Sequence, residues 1–314
     1  MAFEVEALPG VTSFGVMVRG LTFVDLDKHG IRDYLRDLWI DKGVIVFRDT
    51  DGSPEFQVAL SRIFGELELH PLIEARVAGL PELVNVRYHP DDGDIYDVAG
   101  ERRGGFIPWH SDLIYVDKIN RGGILRPVTL PRAGGDTGFL DQISMYDALP
   151  ERLRSQLDDL EILYWQEFDA GHKRFGARPR TVRLSSICKR IVERVAGSPR
   201  VIHPAVYVQA ETGRKVLNIS PAFAVGIQGR ENPEGDALLE QLISFCENPS
   251  RAYVHRWKAG DMVLWDNWRM LHSAFGVPEG EARHMQRTTI RGDYALGRVE
   301  HRDQSISDDL RVSI

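Results

Sequence analysis

The chain is poor in cysteine. Cys188 and Cys246 are its two cysteines in 314 residues, so no disulfide framework is implied and no cysteine-based metal spacing is present. No apolar stretch approaches the roughly 20 residues needed to span a bilayer. The opening residues, Met1-Ala2-Phe3-Glu4-Val5-Glu6, lack a basic segment followed by an apolar run, so no secretory signal is visible. A cytoplasmic protein without membrane contact is expected. Basic residues are not in excess: 39 against 46 acidic residues give a net charge of −7, which argues against nucleic acid as a partner. Internal repeats and interdomain linkers are missing too. Residues 1–314 are therefore expected to form a single domain, long enough to bury a substantial core.

What is present reads as short strands with a few helices. Residues 27–39 carry Ile31, Tyr34, Leu35, Leu38 and Trp39 at helical spacing. Gly43 ends that helix, and residues 44–47 read as a buried strand. Ser53-Pro54 has the form of a helix start, with Ser as cap and Pro in the first turn. A strand is expected at 83–88, short strands alternate with Gly/Pro turns over 109–140, and 150–157 looks helical before an extended 160–165. Residues 206–209 and 215–219 read as a hairpin. A helix follows at 234–246. A second hairpin is expected from 252–257 and 262–265. This pattern suits a mainly β fold with flanking helices, a cupin-like double-stranded β-helix or jelly roll. Residues 171–200 are strongly basic, with Glu193 as the one acid; they read as a solvated insertion or as a lid, at about 166–200, over a site that takes anions. The polar stretch 298–314 reads as a loose tail or an oligomer contact.

The chemistry is concentrated in Trp109-His110-Ser111-Asp112 and in His272. On a strand, alternate residues share a face, so His-x-Asp presents an imidazole and a carboxylate together. A second His from another strand completes two imidazoles and one carboxylate on one side of a metal, the arrangement a non-haem Fe(II) oxygenase uses because the remaining positions stay open. A lone His-x-Asp also fits a buried histidine hydrogen-bonded to a neighbouring carboxylate. The spacing beyond the ligands is more specific. Thr137 follows His110 by twenty-seven residues, Arg283 follows His272 by eleven, and Arg287 lies four further on.

Together these features resemble the taurine dioxygenase/2,4-D dioxygenase family of Fe(II)/2-oxoglutarate oxygenases. The resemblance runs from Gly10-Val11 and Gly20-Leu21, through Phe64-Gly65-Glu66-Leu67, His70-Pro71 and the stretch from His203-Pro204 to Asn218, to Thr288-Thr289-Ile290-Arg291-Gly292-Asp293. It implies Fe(II) held by His110, Asp112 and His272, with 2-oxoglutarate and O2 as cosubstrates. It also implies that Thr137 and Arg283 hold the far carboxylate of 2-oxoglutarate, a role that suits the planar, always charged fork of arginine. Trp265 would lie close to the iron. Trp265-Asp266-Asn267 matches the family's Trp-Asp-Asn, but Trp268 replaces the Arg usual at the next position, which alters the surroundings of the ligands. Related halogenases lack the carboxylate that Asp112 supplies, so halogenation is not expected.

In the family, the residues matching His70 and Arg287 grip the substrate's sulfonate. Here Ile73 and Phe106 make two positions of that pocket apolar, so an acid with an apolar or aromatic body is expected rather than taurine. The reading is a dioxygenase that hydroxylates a small anionic molecule, with C–heteroatom cleavage or desaturation as variants of the outcome. Homo-oligomers are a fair expectation for such a chain. Two rivals remain: a jelly-roll metal-dependent hydrolase or isomerase, and a non-catalytic small-acid-binding protein.

Overall fold

Alternation along single strands decides the layers. In Val44–Arg48, Val44 and Val46 face one layer while Ile45 and Phe47 face another, the period of two that a pleated strand imposes. Its antiparallel neighbour Met262–Asp266 repeats the division, with Met262 and Leu264 on one side and Val263 and Trp265 on the other. The computed structural model describes residues 3–10 and 13–300. Its large sheet runs Glu4–Ala7, Val16–Arg19, Val44–Arg48, Met262–Asp266, Gly122–Thr129, Arg283–Ile290, Leu80–Tyr88 and Arg76–Val77, with Leu67–Glu68 beside Arg283–Ile290.

Helices His29–Lys42 and Pro54–Phe64 cover the outer face of this sheet through Leu35, Trp39, Phe56, Leu60 and Phe64. Gly43 ends the first helix with φ 74, a left-handed conformation that glycine adopts without steric cost. A Cβ there would also meet Met270 Sδ at 2.7 Å. Ser53 Oγ accepts from the Phe56 N–H, with Pro54 in the first turn. The inner face packs through Phe139, Tyr253 and Met270 on a four-stranded sheet, ordered Tyr253–His255, Thr137–Asp141, Met270–Ala274, Ile107–His110. Two facing sheets built from strands distant in sequence make the expected jelly roll. The outer side of the small sheet is closed by Leu140 and Leu271 against Ile162, Tyr164 and the helix Pro233–Cys246.

Four expectations need correction. Tyr253–His255 and Met262–Asp266 do not form a hairpin: the first joins Thr137–Asp141 in the small sheet and the second joins the large sheet. The chain crosses between layers at Lys258–Asp261, where the Asp261 carboxylate accepts the Lys258 N–H at 2.9 Å and binds Arg48. The helix expected over 150–157 covers only Glu151–Arg154. The basic stretch is solvated, with Arg174, Arg178, Arg180, Lys189 and Arg190 exposed, but it is not loose. It contains the strand Arg180–Arg183 and the helix Ser186–Val195, and four of its cations find acids in other elements. Arg174 pairs with Asp236, Arg180 with Asp97, Lys173 with Glu247, and Arg200 with Glu231 and Glu300. Of the tail, Arg298–Val299 pairs with Val201–Pro204, while residues 301–314 lie outside the described residues. The fourth correction concerns Asp112.

Candidate active site

Strand Ile107–His110 stops at His110, so Asp112 does not share a strand face with it. The chain turns after His110, and Leu113 takes φ 59, a left-handed conformation uncommon outside glycine. Asn267 holds the turn. Its Oδ1 accepts the Asp112 N–H at 2.7 Å, and its Nδ2 donates to the carbonyls of Asp112 at 2.9 Å and Asn120 at 3.2 Å. His272 lies on Met270–Ala274 directly opposite His110 in the register, with ring centroids 4.1 Å apart. Asp112 Oδ1 is 3.5 Å from Nε2 of both imidazoles.

These three side chains are buried or nearly so, and their ligand atoms lie within 4.8 Å of one another. Nδ1 of His110 is 2.8 Å from the Pro108 carbonyl, so a proton there is engaged and Nε2 is left as the ligand atom. The donor set fits Fe(II) with an open face. Burial pushes the Asp112 carboxyl up, but Arg287 and the two imidazoles outweigh it and hold it well below the usual carboxylate range. Burial, and then His110, push His272 down to about 4. An ionised carboxylate and a neutral imidazole are the forms that bind a metal.

Thr137 begins an inner strand of the small sheet, and Arg283 begins a strand of the large sheet. The structure brings them together: Arg283 Nη2 lies 3.5 Å from Thr137 Oγ1. Burial depresses the Arg283 guanidinium to about 10, with Asp136 as the opposing charge, and its Nε has no hydrogen-bond partner. A cation held this way suits an incoming carboxylate. Arg287, two pleat repeats further on, has Nη2 3.0 Å from Asp112 Oδ2 and its guanidinium 5.4 Å from the Trp265 ring centroid. Trp265 is buried, 5.1 Å from the His272 ring.

His70 lies near enough to Arg287 for that charge to act on it. Burial first, then Arg287, lower its pKa, and its Nε2 is buried without a partner. Phe106 is half-buried against Tyr96. Ile73, in contrast, is 72% exposed on the short turn Ile73–Ala75, and the structure does not enclose it.

Several residues of the site carried no readable signal. Phe223 packs on His110, Tyr115 packs on Phe223, and Phe168 touches both Tyr115 and Phe223; these aromatics come from separate loops. Trp257 donates its indole N–H to Thr137 Oγ1 at 3.0 Å across 120 residues of chain. Asn267 was visible as part of Trp-Asp-Asn, though not as the clamp on Asp112. Around Trp268, the guanidinium comes from outside the motif. Arg121 lies over the Trp268 ring at 4.1 Å and 3.2 Å from Asp266 Oδ2.

The model of the taurine catabolism dioxygenase TauD, TfdA family matches residues 4–289. The chain is 32% identical over 297 residues to the (S)-phenoxypropionate/alpha-ketoglutarate-dioxygenase of Sphingobium herbicidovorans, covering 94% of this chain and 96% of that protein. It is 32% identical over 261 residues to the alpha-ketoglutarate-dependent 2,4-dichlorophenoxyacetate dioxygenase of a Burkholderia species, covering 80% and 82%. The crystal structure of a taurine dioxygenase from Burkholderia xenovorans superposes with a TM-score of 0.71 at 25% identity, covering 100% of this chain and 99% of that one. These similarities give no support to the hydrolase, isomerase or non-catalytic readings. A jelly roll that buries two histidines and a carboxylate, matched along its length by such relatives, belongs to the taurine catabolism dioxygenase TauD, TfdA family and is an Fe(II)- and 2-oxoglutarate-dependent dioxygenase.

Proposed function

We propose that the substrate is a small organic carboxylate with an aromatic or apolar body, of the aryloxyalkanoate kind, hydroxylated at the carbon between the ether oxygen and the carboxylate. The observation that carries this reading is Arg287, a guanidinium that touches both Asp112 and the Trp265 face while its Nε stays unpartnered. It is the cation best placed to draw an acid to the metal. His70 adds a hydrogen-bonding nitrogen. Phe106 and the Phe223 ring beside His110 supply apolar surface, and the packing of Phe168 on Phe223 supports reading the start of the 166–200 segment as a cover for the site. The similarity to dioxygenases named for phenoxypropionate and 2,4-dichlorophenoxyacetate points the same way.

His110, Asp112 and His272 hold the metal, and Arg283 with Thr137 holds the far carboxylate of 2-oxoglutarate. Bound Fe(II), 2-oxoglutarate and O2 supply the chemistry that inserts one oxygen atom into a substrate C–H bond, with succinate and CO2 as the other products. Arg287 fixes the carboxylate, so the adjacent carbon faces the metal. Trp265 and Phe223 exclude water from the reacting carbon. A hydroxyl placed on an ether carbon gives a hemiacetal, whose collapse releases a phenol and a carbonyl acid. A cytoplasmic homo-oligomer completes the reading, supported by two free buried thiols and by the prevalence of symmetric assemblies.

The test is substrate-stimulated succinate release with aryloxyalkanoates, alkyl sulfonates and alkyl sulfate esters, each acid set against its neutral amide or ester. An aryloxyalkanoate acid is expected to outpace its amide. Loss of a charged hydrogen bond costs about 1.5–3 kcal/mol, so Arg287→Ala should weaken substrate binding by roughly ten- to a hundredfold. Equal turnover of acid and amide would remove the anion grip and leave the reaction class intact.

A further inference from the structure

The polarity of the Thr137 hydroxyl is set by its neighbours. A hydroxyl oxygen has two lone pairs and one hydrogen, while indole and guanidinium nitrogens only donate. Thr137 Oγ1 receives the Trp257 indole N–H at 3.0 Å and an Arg283 Nη2–H at 3.5 Å. With both lone pairs engaged, the single O–H has to point away from both donors. Among the described residues, no protein acceptor takes that hydrogen. A free hydroxyl hydrogen beside the Arg283 guanidinium is a matched set for an acceptor-only group, which an ionised carboxylate is.

We propose that Trp257 is a positioning residue for cosubstrate binding: its indole N–H fixes the Thr137 hydroxyl so that its hydrogen is offered to the far carboxylate of 2-oxoglutarate. The inference rests on the reading of Thr137 and Arg283 as the anchors of that carboxylate. Without the indole N–H, one lone pair is released and the hydroxyl rotates, so a lone pair opposes the carboxylate in part of the population.

The indole is itself held firmly. Its ring stands edge-on to His255, centroids 4.5 Å apart at 86°. His255 is buried, with Nδ1 3.1 Å from the Tyr253 hydroxyl and Nε2 3.2 Å from Asp261 Oδ2. Asp261 in turn binds Arg48 through both oxygens and accepts the Lys258 N–H, the residue after Trp257. The crossing between the two sheets thus fixes the direction in which Trp257 donates.

The test uses the full-length Fe(II) protein under anaerobic conditions, titrated through the visible band of the bound keto acid. Two variants are compared: Trp257→Phe, and benzothienylalanine at 257, which keeps the bicyclic shape and replaces the N–H by sulfur. Each is expected to raise the Kd for 2-oxoglutarate about three- to tenfold, the scale of one hydrogen bond. Iron affinity is expected to stay constant. So is the Kd for 2-oxopentanoate, which carries a methyl group in place of the far carboxylate. In a Thr137→Val background the same changes should have almost no further effect. Unchanged 2-oxoglutarate binding in the benzothienylalanine protein, or equal weakening of both ligands, would overturn the inference and leave Trp257 as packing. If Thr137→Val binds 2-oxoglutarate as tightly as the unaltered protein, the anchor itself is wrong and the inference falls with it.

Discussion

Arg283 and Arg287 lie four residues apart on one strand, on the same face, yet their surroundings assign them different tasks. Among the described residues no carboxylate forms an ion pair with Arg283, and burial, opposed only by the more distant charge of Asp136, lowers its guanidinium to about 10. A bound carboxylate would relieve that penalty. Arg283→Ala is expected to weaken 2-oxoglutarate binding by roughly ten- to a hundredfold, from the loss of about 1.5–3 kcal/mol, with iron affinity barely changed. Anaerobic titration checks this, and unchanged affinity would count against the assignment. Arg287 instead faces Asp112. Its charge, after burial, holds His70 below its ordinary pKa. His70 is therefore neutral at neutral pH, and the charge of the proposed grip belongs to Arg287 alone.

At the scale of elements, one buried ion pair ties the site to the helical layer. Arg269 Nε and Nη2 bind the two oxygens of Asp141 at 2.6 and 3.1 Å, with both side chains fully buried. Arg269 Nη1 also donates to the carbonyls of Ile40 and Asp41, in the last turn of the helix His29–Lys42, where a cation complements the helix dipole. Asp141 caps the helix Gln142–Asp147. The pair thereby locks the turn that carries Asn267, the clamp on Asp112. Arg269→Leu leaves the Asp141 carboxylate buried without its cation, at a cost of about 3–5 kcal/mol. Chemical denaturation should show that loss, accompanied by weaker iron binding. A change below about 1 kcal/mol, the scale of a surface pair, would contradict this role.

At the scale of the molecule, stability should fall on the acid side. His203, on the strand Val201–Pro204, lies between Tyr164 and Tyr294 with Nε2 2.9 Å from the Val116 carbonyl. Burial pushes it down to about 4. With the folded pKa below the unfolded one, the unfolded chain binds the proton more readily, so stability rises with pH. The contribution is complete above about pH 6.5 and is lost as pH falls toward 4. By pH 5 the loss is roughly 2 kcal/mol. Urea denaturation at pH 7.5 and pH 5 should show a smaller acid loss in His203→Gln than in the unaltered protein. Equal losses would show that His203 is not responsible.

Local sequence determined what depends on neighbours in the chain. Ser53-Pro54 and Gly43 bound their helices because capping and left-handed turns act over a few residues, and the continuous apolar run at 44–47 marked a strand buried on both faces. The candidate ligand set was legible through residue types and spacing, because a metal tolerates few donor types, while Thr137 and Arg283 stood out only through the family resemblance. Tertiary structure decided the rest. Asp112 joins the two imidazoles from a turn held by Asn267, a contact across 155 residues. Tyr253–His255 and Met262–Asp266 part into different sheets because their partners, Thr137–Asp141 and Val44–Arg48, lie far away in sequence. Lys173, Arg174, Arg180 and Arg200 find their acids in the same way, and Trp257 meets Thr137 only because the two sheets close on each other. Pairing between distant strands leaves no periodic mark in either, so these contacts exist only once the chain has folded.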